Sequence, residues 1–227
     1  YVSLASSWVN EFPGIDASVM IKALVDLGFK GVSETALGAE QASAGIVQLL
    51  KDKERNFWIS STCPSVVEYI EKYHNELVPH ITPILSPLLA HCTLLKKHYG
   101  EKAGIVHFGP CIASKMEAEK YPDLLYASLT FQDLRRWFKD AGVSLEKNRT
   151  SKGYSFVPER SGYAGLYSVE GGLADIVKAQ GTFPEVSFMS LSGIDHVKKA
   201  LDTIDPASIS ETLFLECSAC PGGCING

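Results

Sequence analysis

The sequence predicts an α/β protein of two lobes, each a mostly parallel sheet flanked by helices. Short β-rich runs alternate with longer stretches that carry apolar residues at helical spacing, which is the pattern of parallel strands joined by crossover helices. The alternation begins again near Glu101, so we expect the first lobe over about residues 1–100 and the second over about 101–227. A chain of 227 residues can bury a sizeable core in such a domain.

The first cycle of the pattern supplies three strands and four helices. The helical stretches are recognised by the spacing of their apolar residues, and a proline-bearing link, Val78 to Pro83, separates the last two. The predicted order is strand Tyr1–Ser6, helix Ala17–Leu27, strand Gly31–Glu34, helix Gly38–Lys53, strand Asn56–Ser60, helix Val66–Glu76 and helix Leu85–His98.

The second cycle repeats the alternation and is interrupted by a polar, glycine-bearing loop, Glu146–Gly165. In open α/β sheets ligands bind beyond the carboxyl ends of the strands, so the loops that follow strands are where a site is expected. The predicted order is strand Gly104–Phe108, helix Ile112–Lys120, strand Leu125–Thr130, helix Phe131–Ala141, helix Leu173–Ala179, strand Glu185–Ser190, helix Ile194–Thr203 and strand Thr212–Glu216.

Composition and charge argue against several classes of partner. The net charge of -5 and the lack of a basic run favour neither nucleic acid nor an anionic membrane surface. No apolar stretch approaches the roughly 20 residues that span a bilayer, and the start of the sequence carries no secretory signal. Six cysteines are too few for a disulfide scaffold in a chain of this length. We therefore expect a cytoplasmic protein whose loop cysteines bind metal or react.

Cysteines follow three of the predicted strands closely. Cys63 and Cys111 each come just after a strand, and Cys220 and Cys224 flank Pro-Gly-Gly beyond the last one. Glycines at this place allow the backbone to fold closely around a ligand. A 4Fe–4S cluster takes four cysteine ligands, so these residues predict a site for such a cluster. The residues alone leave open a structural zinc site or unrelated buried thiols.

The motifs around these cysteines resemble those of the catalytic domain of iron-only (FeFe) hydrogenases. The three loop motifs of that family read T-S-C-C-P, P-C-x-x-K and E-x-x-A-C-x-G-G-C. They are matched in the same order by Ser61-Thr62-Cys63-Pro64, Pro110-Cys111 and Glu216 through Cys224. The likeness covers nearly the whole chain and includes Tyr73–Leu77 with Ser86-Pro87, and Ser161–Gly165 with Gly171-Gly172.

The resemblance implies a cofactor and the residues that hold it. Cys63, Cys111, Cys220 and Cys224 would bind a 4Fe–4S cube. In the family, the counterpart of Cys224 also bridges to a two-iron unit that carries CO, cyanide and a bridging dithiolate. The resemblance places this cluster between the two lobes.

Three residues depart from the family pattern near the two-iron unit. Thr62 stands in place of a proton-carrying cysteine, and a hydroxyl is a far weaker acid than a thiol with a pKa of about 8.5. Ser114 stands in place of a lysine that holds a cyanide, with Lys115 one position too far along, and Ser218 replaces a methionine. The acidic relay residues expected on the second helix are absent from Ala42–Val47. The proton path of the family is therefore broken.

Departures of this kind resemble the sensory or regulatory branch of the family. We expect an H-cluster domain that senses hydrogen through slow, reversible oxidation, with hydrogen and protons as its small molecules. Flanking ferredoxin-like or signalling modules and maturation proteins are the expected partners, and the chain is expected to be excised from a longer protein. The alternative is a hydrogenase-like 4Fe–4S protein without hydrogen chemistry that acts through protein contacts. A high-turnover hydrogenase ranks third.

The remaining candidate ligands are expected to be structural. Cys92 lies in a helix and is expected to pack in the core. Cys217, one residue inside the third motif, is expected to pack or to support the ligands rather than to bind metal. His107 near a strand end is expected to be a core histidine with its hydrogen bonds satisfied.

Overall fold

A computed structural model describes residues 1–52, 55–146 and 153–227. This part of the chain forms two parallel sheets flanked by helices, as the alternating pattern predicts. Its strands are β1 (Val2–Leu4), β2 (Val32–Glu34), β3 (Phe57–Ile59), β4 (Val106–Gly109), β5 (Ala127–Thr130), β6 (Val186–Ser192) and β7 (Thr212–Ser218). The first sheet has the strand order β2-β1-β4-β5 and the second has the order β3-β7-β6.

Most of the predicted helices are found with ends that differ by a few residues. The described helices are α1 (Trp8–Glu11), α2 (Ala17–Asp26), α3 (Ala36–Asp52), α4 (Pro64–Tyr73), α5 (Pro87–Tyr99), α6 (Ser114–Lys120), α7 (Phe131–Asp140), α8 (Gly172–Ala179) and α9 (Ile194–Thr203). Helix α1 was not predicted, because four residues are too few to show a helical period. Lys53, the predicted end of α3, and part of the predicted loop Glu146–Gly165 lie outside the described residues.

Each sheet takes strands from both halves of the chain. β1 pairs with β4, with Val2 opposite Val106, and β3 pairs with β7, with Phe57 opposite Leu213. The expected division into a lobe at about 1–100 and a lobe at about 101–227 is therefore wrong as a description of the two sheets. The hydrophobic pattern identifies a strand but not its partner, and parallel pairing joins strands that are far apart in sequence.

The core is built from the apolar faces of helices packed against the two sheets. The first sheet packs against α2 and α7, with Leu4, Leu24 and Leu134 fully buried among the contacts. The second sheet is covered on one face by α4 and α9 and on the other by α3 and α8. Burial of each large aliphatic side chain stabilises the fold by roughly 1.5–3 kcal/mol.

Helix caps fix the loops that lead into several of these helices. Thr130 and Asp133 form a capping box at the start of α7, with Thr130 Oγ1 accepting from Asp133 N at 3.1 Å and donating to Asp133 Oδ2 at 2.8 Å. Ser86 caps α5 by accepting from Leu89 N at 3.3 Å. Such caps contribute about 1 kcal/mol each and fix where the helix begins.

A buried polar group ties α5 to the first sheet. The ring nitrogens of His91 each lie 2.8 Å from a serine hydroxyl, Nδ1 from Ser3 on β1 and Nε2 from Ser33 on β2. Burial, and to a smaller degree His107, lowers the pKa of His91 to about 3. The ring is therefore neutral in the folded protein and acts as a fixed hydrogen-bonding bridge between the helix and two strands.

Helices α3 and α5 cross at very close range at Gly38. A Cβ atom on Gly38 would lie 2.0 Å from the carbonyl oxygen of Pro87 and 2.5 Å from the backbone nitrogen of His91. Both are backbone atoms and cannot move without separating the helices. Gly38 therefore sets the distance between α3 and α5, and with it the position of the loops at their ends.

We predict that Gly38→Ala destabilises the protein even though alanine favours helices. Overpacking costs about 1–3 kcal/mol, which outweighs the gain of roughly 0.5–1 kcal/mol expected from alanine in a helix interior. Gly45→Ala is the matched control on the same helix, because its Cβ would meet the flexible end of Ile84 at 2.9 Å. Urea unfolding should show a lower free energy of unfolding for Gly38→Ala only. Equal stability of the two variants would contradict the close crossing.

Candidate metal centre

The predicted ligands lie where strands of both sheets end. Cys111 follows β4 of the first sheet, Cys63 follows β3 of the second, and Cys220 and Cys224 follow β7. In the first sheet β1 and β4 are the two central strands. From β1 the chain continues to β2 on one side of the sheet, and from β4 it continues to β5 on the other side. Such a switch point is where open α/β sheets bind ligands beyond their carboxyl ends.

The four thiols of the predicted ligand set come together. Cys63 is buried, and Cys111, Cys220 and Cys224 are half-buried. A charge on Cys63 or Cys220 raises the pKa of Cys111, and a charge on Cys63 raises the pKa of Cys220. Charges on Cys63, Cys111 and Cys220 each raise the pKa of Cys224. Every pair among the four is therefore close enough for its charges to interact.

This crowding favours a cationic ligand. Burial raises the pKa of Cys111, Cys220 and Cys224, and nearby thiolates raise it further. These three thiols are therefore protonated at neutral pH, but a coordinated thiol loses its proton. Metal binding here releases protons and links segments that follow strands of both sheets.

The four thiols are the type of donor that an iron–sulfur cluster binds. Among the residues that the structure describes, no group of three or more His, Cys, Asp or Glu side chains is arranged to hold one metal ion. Tetrahedral zinc, with bonds of ~2.3 Å, would bring its thiolates to within roughly 4 Å of one another. A cube spreads its ligands more widely because each thiolate binds a different iron. Four converging cysteines therefore fit an iron–sulfur cluster, which takes thiolate ligands on separate irons.

Two glycines shape the loop between Cys220 and Cys224. Gly222 has φ +75° and Gly223 has φ +100°, values that L residues with side chains rarely adopt. A Cβ on Gly223 would lie 2.6 Å from the carbonyl oxygen of Ser168. The Gly222 carbonyl accepts a hydrogen bond from Glu170 N at 3.0 Å. The loop that carries these cysteines is therefore pressed against the backbone of residues 168–170.

A cavity, here called the thiol cavity, adjoins two of the converging thiols. Its volume is about 60 Å³. Its polar and titratable lining residues are Ser7, Thr35, Thr62, Ser86, His107, Cys111, Ser114, Glu117, Tyr167, Ser168 and Cys224. The Ser7 hydroxyl is buried and has no hydrogen-bond partner among the described residues. A buried polar atom of this kind fits a cavity built to hold a polar group.

Of the three residues that depart from the family motifs, two line the thiol cavity. Thr62 Oγ1 lies 2.6 Å from Ser60 Oγ. Ser114 Oγ donates to the Cys111 carbonyl and lies 2.6 Å from Ser128 Oγ. Ser218 is buried at the end of β7 and is not among the lining residues. The structure therefore brings Thr62 and Ser114 together and places Ser218 apart from them.

Lys115 does not take the place of the missing lysine. Its ammonium group lies 3.1 Å from Asp133 Oδ2, and it is not a lining residue of the thiol cavity. The hydrogen bonds with Thr130 and Lys115 and the charge of Lys115 lower the pKa of Asp133 to about 2, so its carboxylate is charged at neutral pH. Lys115 thus supports the first turn of α7.

The residues expected to be structural are packed in the interior. Cys92 and Cys217 are fully buried, and burial raises the pKa of each thiol to about 12. His107 Nδ1 lies 3.0 Å from the Ser3 carbonyl oxygen, and burial lowers its pKa to about 4. His107 is a satisfied core histidine that also presents part of its ring to the thiol cavity.

The loop at Ser161–Gly165 is held by two carboxylates of the first half of the chain. Ser161 donates from its backbone nitrogen and its hydroxyl to Glu34 Oε2, at 2.7 and 2.9 Å. Gly162 N donates to Glu40 Oε1 at 3.3 Å. The 3₁₀ turn Tyr163–Ser168 follows and carries Tyr167 to the wall of the thiol cavity.

Sequence reasoning missed several lining residues of the thiol cavity. Ser7, Thr35 and Tyr167 come from separate segments, and only the fold brings them together. Glu117 offered a local signal, because it lies near Cys111 on the helix that follows the second motif. A carboxyl group on the buried face of that short helix could have been singled out.

Comparison with known proteins agrees with the motifs. The family described as "Iron only hydrogenase large subunit, C-terminal domain" matches residues 1–227. The periplasmic iron hydrogenase large subunit of Nitratidesulfovibrio vulgaris is 26% identical over 257 residues, covering 92% of this chain and 61% of that protein. A cytosolic Fe-S cluster assembly factor NAR1 homolog of Schizosaccharomyces japonicus is 35% identical over 69 residues, covering 27% of this chain and 13% of that protein. The chain thus spans less than two thirds of the length of either relative.

The fold is also found among solved structures. The FeFe-hydrogenase HydA1 of Chlamydomonas reinhardtii superposes with a TM-score of 0.72 at 17% identity, covering 100% of this chain and 78% of that one. The architecture, the order of the cysteine motifs and the match over the full length point to the same relationship. The chain belongs to the family of C-terminal domains found in the large subunits of iron-only hydrogenases, and it is a hydrogenase-like iron–sulfur domain.

Proposed function

We propose that this domain binds an H-cluster and senses hydrogen through slow, reversible oxidation. The main support for the proposal is the thiol cavity, which adjoins Cys111 and Cys224 and has a polar lining. Cys63, Cys111, Cys220 and Cys224 would hold the 4Fe–4S cube, and Cys224 would also bridge to a two-iron unit with CO, cyanide and dithiolate. When bound, that unit supplies the place where hydrogen is converted to protons and electrons.

The residues of the cavity favour slow chemistry. Thr62 offers a hydroxyl where rapid turnover needs a group that gives up a proton near neutral pH. Ser114 is directed to the Cys111 carbonyl and to Ser128, and can offer at most a neutral hydrogen bond to a ligand. Loss of a positioned proton donor costs about 10²–10⁴ in rate, which suits a detector better than a producer of hydrogen.

The proposed partners follow from this role. Hydrogen and protons are the small molecules, maturation proteins would supply the two-iron unit, and flanking ferredoxin-like or signalling modules would receive the signal. Among the described residues, no helix is both long and apolar enough to cross a bilayer. All six cysteines are free thiols, which supports a reducing compartment, and we propose the cytoplasm.

A second candidate function is that of a cluster-binding protein without hydrogen chemistry, acting through protein contacts. The similarity to a cytosolic Fe-S cluster assembly factor favours it, as do the hydroxyl groups of Thr62 and Ser114. A high-turnover hydrogenase ranks last, because position 62 carries a threonine in place of the proton-carrying cysteine.

Infrared spectroscopy on matured protein separates the first two functions. We expect bands from iron-bound CO and cyanide, changes in those bands when argon is replaced by hydrogen, and about six irons per chain for a cube plus a two-iron unit. The second function predicts about four irons, a cube signal in paramagnetic resonance and no such bands. Bands that never respond to hydrogen would contradict sensing.

A thiol at position 62 should speed the reaction. We predict that Thr62→Cys raises hydrogen evolution by about 10²-fold or more, because it restores a proton donor with a pKa near neutral. Thr203→Cys is the control, since it adds a thiol on the exposed face of α9 at a residue that does not line the cavity. Unchanged turnover in matured Thr62→Cys, with infrared bands like those of the wild type, would show that the hydroxyl is not what limits the rate.

A further inference from the structure

A buried carboxyl group stands between the thiol cavity and the outside of the protein. Glu117 lies on α6 with 8% of its surface exposed. It lines the thiol cavity, and it also lines a second cavity of about 120 Å³, here called the surface cleft. The polar outer residues of the surface cleft are Ser61, Glu68, Lys120 and Tyr121.

Within the described ranges of the chain, three residues line both cavities. They are Pro64, Ser86 and Glu117, and they form the wall that the cavities share. Glu117 is the titratable member of this wall. Its Oε1 accepts a hydrogen bond from Ser86 Oγ, whose own orientation is fixed because it caps α5 by accepting from Leu89 N.

We propose that Glu117 passes protons between the thiol cavity and the surface cleft, with Ser86 holding its carboxyl group in the shared wall. The proposal rests on the proposed function, because it gives the protons of hydrogen oxidation a way out that does not use Thr62. In the outward step, a carboxylate oxygen of Glu117 takes a proton from a donor in the thiol cavity. The resulting carboxylic acid then gives the proton to water in the surface cleft. The O–H bond formed on Glu117 in the first transfer breaks in the second, the donor loses its proton, water becomes hydronium, and no oxidation state changes.

The pKa values of Glu117 and its titratable neighbours show which group can pass a proton near neutral pH. Burial raises the pKa of Glu117 to about 7, against a smaller lowering by Ser86. Among the lining residues of the thiol cavity, His107 has a pKa of about 4, and the pKa values of Cys111, Tyr167 and Cys224 are raised above their usual ranges. Of these five described groups, Glu117 is the one that changes protonation near neutral pH.

Titratable groups on the neighbouring elements lie around Glu117. Cys92 on α5 and Tyr167 on the 3₁₀ turn both interact with the charge of Glu117, and both hold their protons at neutral pH. In the surface cleft, Lys120 lies 3.9 Å from Glu68. The surface cleft therefore has a charged, partly exposed rim on the outer side of Glu117.

The first test is an infrared pH titration of the chain without any cluster. The absorption of protonated carboxyl groups should fall with a midpoint near pH 7 and should lose one component in Glu117→Gln. Glu216 supplies a second component, since burial raises its pKa to about 7 as well, so the difference between the variant and the wild type identifies Glu117. Glu119→Gln on the exposed face of the same helix is the control and should keep the component that Glu117→Gln removes. Ser86→Ala should move the midpoint of that component upward.

The second test measures exchange between hydrogen gas and heavy water in matured protein. Glu117→Gln should slow this exchange by about 10²-fold or more while the infrared bands of the cluster persist, and Glu119→Gln should not slow it. An unchanged rate in Glu117→Gln, or a titration with no component that this variant removes, overturns the proposal. If matured wild-type protein shows no response to hydrogen, the proposed function fails, and the infrared titration alone decides whether Glu117 exchanges protons.

Discussion

The arrangement depends on four thiols held together at the junction of two sheets, where their thiolate forms would repel one another. Cys111 belongs to a loop of the first sheet, and Cys63, Cys220 and Cys224 belong to loops of the second. Burial and mutual repulsion keep Cys111, Cys220 and Cys224 protonated in the absence of metal. A cluster would bind the deprotonated thiols and join loops of both sheets through one inorganic group, so cluster binding and stability of the junction would be coupled.

The backbone supports this junction by close approach rather than by apolar packing alone. Gly38 lets α3 and α5 cross closely, and Gly223 lets the last cysteine loop lie against Ser168. A side chain at either position would push neighbouring backbone away. The thiol cavity beside the cysteines is walled by these same segments, because α5 begins at Pro87 and the loop carries Cys224. Its shape therefore follows from helix crossing and loop geometry together.

The sequence predicted which thiols come together but not how the two sheets are assembled. Cys63, Cys111, Cys220 and Cys224 could be singled out because strand ends and glycines are local signals. The pairing of β1 with β4 and of β3 with β7 could not be predicted, because a periodic pattern carries no information on partners. Glu117 carried a local signal in its place on the helix after Cys111, but its contact with Ser86 and its position between two cavities depend on the folded chain.

Reconstitution with iron and sulfide would show which cysteines hold the cluster. Single cysteine-to-alanine variants would be loaded anaerobically, and their iron content and cube signal in paramagnetic resonance would be compared with those of the wild type. We expect about four irons in the wild type and retention of the cube in Cys92→Ala and Cys217→Ala. We expect loss of the cube when Cys63, Cys111, Cys220 or Cys224 is replaced. A cube that survives replacement of two or more of the four, or that is lost in Cys217→Ala while the chain stays folded, would contradict this ligand set.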